Sequence, residues 1–263
     1  MLKSALTEFI TALDDLEGNL QFIRAAKHLR PRLGPMLKWN ELRGDARQLA
    51  AKFMKQKEVD DTFLYRGMLV ILSGALEQFV RRILRDAIVA INEATRHYDD
   101  LDEVIGRQNT LRTAQALQTI FEPLDHLTFD YELLCKNLGT CLRGSEGFAL
   151  NADAFTIYVS SIAPAHLEDV LKRIGINLDW DSLGQNEGIQ SLFNKTEARE
   201  TSKSVQEYLL LFIRKRNKIC HSGSGGIAVS DGDIEQLIKF FRVFSAALTR
   251  TVEEKIRKRI RGK

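Results

Sequence analysis

The chain has little of what staples, breaks or anchors a fold. Only three of its 263 residues are cysteine (Cys135, Cys141 and Cys220), and no two stand at C-x-x-C spacing. That count and spacing argue against a disulfide framework and a zinc knuckle, and fit a reduced, cytosolic compartment. Proline occurs four times, too rarely to interrupt long helices often. Charge of one sign is missing too. With 38 Lys and Arg against 35 Asp and Glu, the net charge is +3, so any case for nucleic acid must rest on where the charges sit. The N-terminal stretch MLKSALTEFITALDDLEGNL has acids in its first turns and no apolar signal core. The longest apolar run, MLVILSGAL at 68–76, is too short to cross a membrane and ends at Glu77 and Gln78. There is no internal repeat and no low-complexity linker.

What remains is a helical composition. Hydrophobic residues make up 44%, enough for a sizeable core, and Leu, Ala, Ile, Glu, Lys and Arg dominate. Apolar residues at three- and four-residue steps (Leu6, Phe9, Leu13, Leu16, Leu20, Ile23) predict an amphipathic helix over 4–29, broken by RPRLGP at 30–35. A second helical segment is expected over about 38–57. A long helix follows over 61–96, with Asp61 as its N-cap and an interior apolar nearly all round, which places it at the centre of the core. Gly67 and Gly74, seven apart, suggest a face that a neighbouring helix approaches closely.

RHYDDLDE at 96–103 reads as a polar connector whose acids start a helix, with a cation site as the alternative. Helices are expected at 104–121 and 130–142. NADAFTIYVSSI at 151–162 is the one stretch that reads as a short strand, because β-branched and aromatic residues cluster there. Pro164 suits the first turn of a helix to about 174, stopped by Gly175. Residues 177–188 read as loop or short turns. A helix over 201–221 leads through SGSGG (222–226), taken as a flexible turn, to a final helix. Ser230 and Asp233 cap that helix, and Ile234, Leu237, Ile238, Phe241, Phe244, Leu248 and Val252 form its stripe. The expectation is one all-α domain: N-terminal helices over 1–60, a first core helix over 61–96, an elaboration over 97–160, and two terminal helices within 161–263.

The unusual stretch is FIRKRNKICHSGSGG, residues 212–226. The 201–221 helix carries its stripe at Val205, Tyr208, Leu209, Phe212 and Ile219. Stepping by fours from Tyr208 and Phe212 reaches Arg216, so a guanidinium points with the core side. A buried arginine needs a partner, and a structural salt bridge to Glu77 is the plainest one. His221 lies about 140° further round an ideal helix from Arg216. Asn217 and His221, four apart, share a face. A histidine at a helix C-terminus is often only a cap. Arg, Asn and His together can also hold a phosphate and move a proton near neutral pH. Arg66, Ser73, Glu77 and Arg81 form a second polar line, read as a solvent edge at Arg66 and Arg81 and as a cleft wall at Glu77. RKRNK (214–218) and the basic tail KIRKRIRGK (255–263) are solvated charge or a phosphate-tracking surface.

RNKICH fits the Arg-Asn-x-x-x-His signature of HEPN domains. With YRGMLVILSGALEQFVRRIL upstream and SDGDIEQL downstream, the arrangement resembles the RiboL-PSP-type HEPN proteins of bacterial defence and toxin systems, over about 61–96 and 160–255. The resemblance implies a four-helix-bundle core and a homodimer whose two motifs meet in one RNA-cleaving cleft. It implies a metal-independent endoribonuclease that needs no cofactor and leaves a 2′,3′-cyclic phosphate. Arg216 would stabilise the scissile phosphate, His221 would act as general acid/base, Asn217 would orient the backbone or phosphate, and Glu77 would position Arg216 or His221. Arg214, Lys215, Lys218 and Arg81 would add RNA contacts, and no metal ligand is expected. RNA, a second copy and an antitoxin or defence-system protein are the implied partners; a membrane is not. The alternative is a non-catalytic HEPN module that binds nucleotide, RNA or a partner protein.

Overall fold

The computed structural model describes residues 2–39, 41–55, 61–124, 128–144, 146–222 and 227–261. Within them the chain forms helices and no strand. The α-helices are α1 (Lys3–Lys38), α2 (Gly44–Lys55), α3 (Asp61–Ala94), α4 (Glu103–Gln118), α5 (Tyr131–Leu142), α6 (Pro164–Lys172), α7 (Trp180–Gly184), α8 (Glu187–Phe193), α9 (Ala198–Ser222) and α10 (Asp231–Arg261), with 3-10 turns at Tyr98–Asp100 and Ala152–Thr156. The four longest, α1, α3, α9 and α10, make a bundle, and one phenylalanine from each meets at its centre. Phe9 of α1 stacks on Phe79 of α3 at 4.8 Å and meets Phe241 of α10 edge-on at 6.3 Å; Phe241 meets Phe212 of α9 at 5.0 Å. Each such pair adds about 0.5–1.5 kcal/mol beyond the area it buries.

Local signals set the ends of these helices. Ser230 and Asp233 form the expected reciprocal box at the start of α10, with Asp233 N donating to Ser230 Oγ at 3.1 Å and Ser230 N to Asp233 Oδ2 at 2.9 Å. Gly175, at φ +68°, ends the α6 region, and Ile176 N reaches back to the Leu171 carbonyl at 3.0 Å. Asp102 caps α4 by accepting from Val104 N at 2.9 Å and pairs with Arg259 at 3.2 Å. Of the acids in the 96–103 connector Asp102 is used in this way, and no group among the described residues has the side chains to hold a metal ion.

The structure corrects several expectations. RPRLGP does not break the first helix, because α1 runs through Pro31 and Pro35 to Lys38. The two prolines are four apart and exposed, so their missing N–H groups fall on one solvent-facing side while Leu33 stays buried. The second helix accordingly starts only at Gly44. Gly67 and Gly74 do not receive a neighbouring helix, since an added Cβ at either would meet nothing within 4 Å. The close approach is at Gly184, where a Cβ would overlap the Ala198 carbonyl at the start of α9. Residues 177–188 are more helical than expected, containing α7 and the start of α8. Lastly, α3 as a whole, unlike its short apolar run, has an 18-residue window of mean hydropathy 1.3, long and apolar enough for a membrane span. Half of that window is buried inside the bundle.

The expected strand at 151–162 is the 3-10 turn Ala152–Thr156 followed by a loop. Its β-branched side chains and Phe155 are buried while Tyr158 is exposed, but no strand among the described residues lies beside it to share a ladder. Instead it packs on α3 and α4. Asn151 fixes its start: its N–H donates to Asn109 Oδ1, and its amide donates to Thr113 Oγ1 and the Leu134 carbonyl, each at 2.9 Å. A small apolar cluster of Ala116, Phe129, Leu134, Ala154 and Ile157 lies beneath.

Candidate active site

Phe212 is 2% exposed, and its seat against Phe241 sets the rotation of α9. One turn on, Arg216 leaves the core side only 25% exposed. Its Nη2 lies 3.8 Å from Glu77 Oε1, and its Nη1 donates to Asn217 Oδ1 at 3.1 Å. Glu77 Oε1 also accepts from Ser161 N at 2.8 Å. At 3.8 Å the ion pair is an attraction and not a hydrogen bond. Arg216 is therefore aimed by Glu77 but not saturated by it, and its Nε is buried with no hydrogen-bond partner among the described residues.

Asn217 is half-buried and His221 exposed. Five residues put His221 about 140° round and about 7.5 Å along the helix from Arg216, so one chain does not bring the two heads together. His221 makes no hydrogen bond or ion pair with another described residue. Residues 223–226 lie outside the described residues, and with them the expectation that the glycines leave room for substrate.

The other basic candidates differ in how they are used. Arg214 and Lys218 are exposed, while Lys215 pairs with Asp233 at 3.0 Å. Arg81 Nη2 donates to the Val159 carbonyl at 2.7 Å, and Arg66 Nε donates to the Ile227 carbonyl at 2.8 Å. Both hold loop backbone where the sequence suggested a solvent edge. In the basic tail, Arg259 donates to the Ile174 and Gly175 carbonyls, and Lys255 to the Asn177 carbonyl.

Two residues near Glu77 escape a reading of the sequence by motif. His166 of α6 bonds the backbone of Tyr158 and feels the charges of Glu77 and Asp169. Burial first and Arg173 second hold its pKa below the usual imidazole value. Arg173, at the end of α6, is 5% exposed and gives Nη1 to the carbonyls of Phe155 (2.9 Å) and Ile157 (2.6 Å). Burial, and then the neighbouring Arg112, bring its pKa down to about 10, so it is cationic at neutral pH. A signal existed: His166, Val170 and Arg173 share one face of α6, and Val170 is fully buried. The stripe that exposes Arg216 exposes these two as well.

A helical bundle carrying Arg-Asn-x-x-x-His at the end of a core helix defines the HEPN class of domain. Within that class, the chain belongs to the RiboL-PSP-HEPN family, which it matches over residues 41–254. The match spans Glu77, His166, Arg173 and the motif from Arg216 to His221, and membership points to a nuclease or RNA-related function. No curated protein and no solved structure matches the chain.

Proposed function

We propose that the protein is a metal-independent endoribonuclease acting as a homodimer, in a toxin or anti-phage defence role in the cytoplasm. One observation carries the reading: Arg216 is aimed by Glu77 yet keeps donors unspent, on the same helix end as an unengaged, exposed His221. A guanidinium with free donors suits phosphoryl oxygens and the charge that builds on them during displacement. An imidazole titrates near neutral pH and can take or give a proton.

In this reading the ribose 2′-oxygen attacks phosphorus and the bond to the 5′-oxygen breaks. A neutral His221 accepts the 2′-hydroxyl proton, and an imidazolium gives a proton to the leaving 5′-oxygen. The products are a 2′,3′-cyclic phosphate and a 5′-hydroxyl. Asn217 steadies Arg216 or the phosphate. Two histidines in opposite protonation states are needed at once, and two facing copies supply them. Exposed apolar side chains support a second copy: Phe63 (69% exposed) and Ile71 (61%) flank Gly67 and Gly74 on the outer side of α3, and Leu211 is 50% exposed on the side of α9 that carries Arg214, Lys218 and His221. Arg214 and Lys218 would track the RNA backbone. A nuclease that needs no metal also needs restraint, which fits an antitoxin or defence-system partner.

The test is cleavage of a structured RNA in EDTA, with end-group analysis of the products and the solution mass of the chain. The wild-type protein should cleave as a dimer, and Arg216→Ala and His221→Ala should fold but not cleave. Wild-type rates in both variants would overturn the reading, and a strict monomer that cleaves would overturn the shared cleft.

A further inference from the structure

Besides its own turn hydrogen bonds (Ile157 N to the Ala154 carbonyl, Val159 N to that of Thr156), the loop from Phe155 to Ser161 is held by polar side chains from α3 and α6. Arg173 takes the carbonyls of Phe155 and Ile157, Arg81 that of Val159, Glu77 the amide of Ser161, and His166 bonds the backbone of Tyr158. Tyr158 and Ser161 sit at φ +57° and +47°, a left-handed conformation that costs a non-glycine residue about 1–3 kcal/mol. So many fixed partners hold a strained backbone in one shape, and that shape leaves the Tyr158 side chain 46% exposed.

The cations at this loop exceed what the loop needs. Arg173 is 5% exposed, and no described carboxylate forms an ion pair with it. Arg112 of α4 lies close enough to repel it. Arg112 itself bonds only neutral groups, Gln108 Oε1 at 3.0 Å and Gln115 Oε1 at 2.8 Å. Its pKa is lowered by burial and pushed the other way by the Tyr158 phenol. Asp169 attracts Arg173 from a distance but forms no ion pair with it, and neighbouring guanidiniums that no carboxylate contacts repel each other and lose hydration, a state that an anion relieves. Arg173 Nε and His166 Nε2 are both buried without a hydrogen-bond partner among the described residues. Holding the loop explains one nitrogen of Arg173, but it explains neither of these and nothing of Arg112.

We infer that Arg112, Arg173 and His166, with the Tyr158 ring at their rim, form a second anion subsite that takes a phosphodiester of the RNA backbone flanking the bond cut at Arg216 and His221. Glu77, which faces Arg216, and Arg173 hold the two ends of the same loop, so the subsite and the Arg216 site meet there. Two guanidiniums can grip phosphate oxygens bidentately, and the exposed tyrosine offers a face for the adjoining base. The identity of the anion rests on the nuclease reading.

The experiment measures binding of a 2′-O-methylated, uncleavable RNA to the full chain by fluorescence anisotropy over a range of salt, alongside cleavage of the unmodified RNA. Arg112→Gln keeps hydrogen-bonding capacity and loses charge. It should raise Kd about tenfold and reduce the slope of log K against log salt by about one, with the melting temperature unchanged. Tyr158→Leu should weaken binding about tenfold without changing the slope. If Arg112→Gln does not fold, the Tyr158→Leu result decides. Wild-type Kd and slope in Arg112→Gln, or wild-type Kd in Tyr158→Leu when that variant decides, overturn the subsite while cleavage by the wild-type chain leaves the nuclease reading intact. Binding without cleavage overturns the nuclease reading, and the slope then still decides the subsite. No RNA binding by the wild-type chain overturns both.

Discussion

Arg216 and Arg173 occupy equivalent places: each continues the buried stripe of an amphipathic helix at its C-terminal end, and each carries a buried Nε without a partner. Their surroundings differ. Arg216 faces a carboxylate at 3.8 Å and donates to one side-chain oxygen, whereas Arg173 gives a single nitrogen to two backbone carbonyls at 2.6 and 2.9 Å and has no ion pair among the described residues. The first arrangement aims a charge, and the second uses a charge to shape a loop. Burial alone does not tell them apart. What the donors touch does.

That contrast can be broken by substitution. The largest effect is expected at the free end of α9, where His221→Ala should lower cleavage by about 100-fold or more at unchanged melting temperature. A cleavage rate within a factor of two of wild type would remove His221 from the chemistry. Next comes Arg173→Met. It leaves two buried carbonyls unsatisfied and should cost about 2–5 kcal/mol in urea unfolding. A variant as stable as wild type would mean that the loop does not depend on this charge. Glu77→Gln keeps an oxygen for the Ser161 amide but drops the attraction to Arg216. Stability should fall by about 1–2 kcal/mol, with a proportionally greater loss of cleavage. Equal loss in both would make Glu77 a loop holder only.

The smallest effect is a pH dependence. The folded chain holds the pKa of His166 below its unfolded value of about 6.5, so the unfolded chain takes up the proton first. The stability this contributes is present above that value, declines as pH falls below it, and levels off under the lowered folded pKa. Melting temperatures from pH 7.5 to 5 should show the decline, and His166→Gln should flatten it. An unchanged slope in the variant would place the acid sensitivity elsewhere.

Much of the bundle is legible in the sequence because its signals are local and periodic. The stripes of α9 and α10 and the Ser230–Asp233 box need only neighbours three and four residues away. The same periodicity puts Arg216 on the core side, and spacing along α3 puts Glu77 within its reach. Where the sequence misleads, the deciding partner is remote. Pro31 and Pro35 look like breakers until both are seen to fall on the solvent side. TIYVS has the residues of a strand, but among the described residues it finds no strand to pair with, only the faces of α3 and α4, the side chains of Glu77 and Arg81 on α3, and those of His166 and Arg173 on α6. A charge that bonds a backbone carbonyl dozens of residues away leaves no mark in spacing. For that reason the role of these side chains as holders of the loop is not visible before the fold, although the polar line of Glu77 and Arg81 on α3 and the face of His166 and Arg173 on α6 are.

The family match begins at residue 41, while Phe9, Leu13, Leu16 and Leu20 of α1, all buried, come before it. The part of the chain held in common with the family thus depends on a helix that the match does not cover. Trimmed to the matched range, the protein would expose the inner surfaces of α3 and α10, including the ring of Phe79, to water. Such a fragment should aggregate, visible as light scattering, while retaining every motif residue. Keeping the signature is not the same as keeping the protein that presents it.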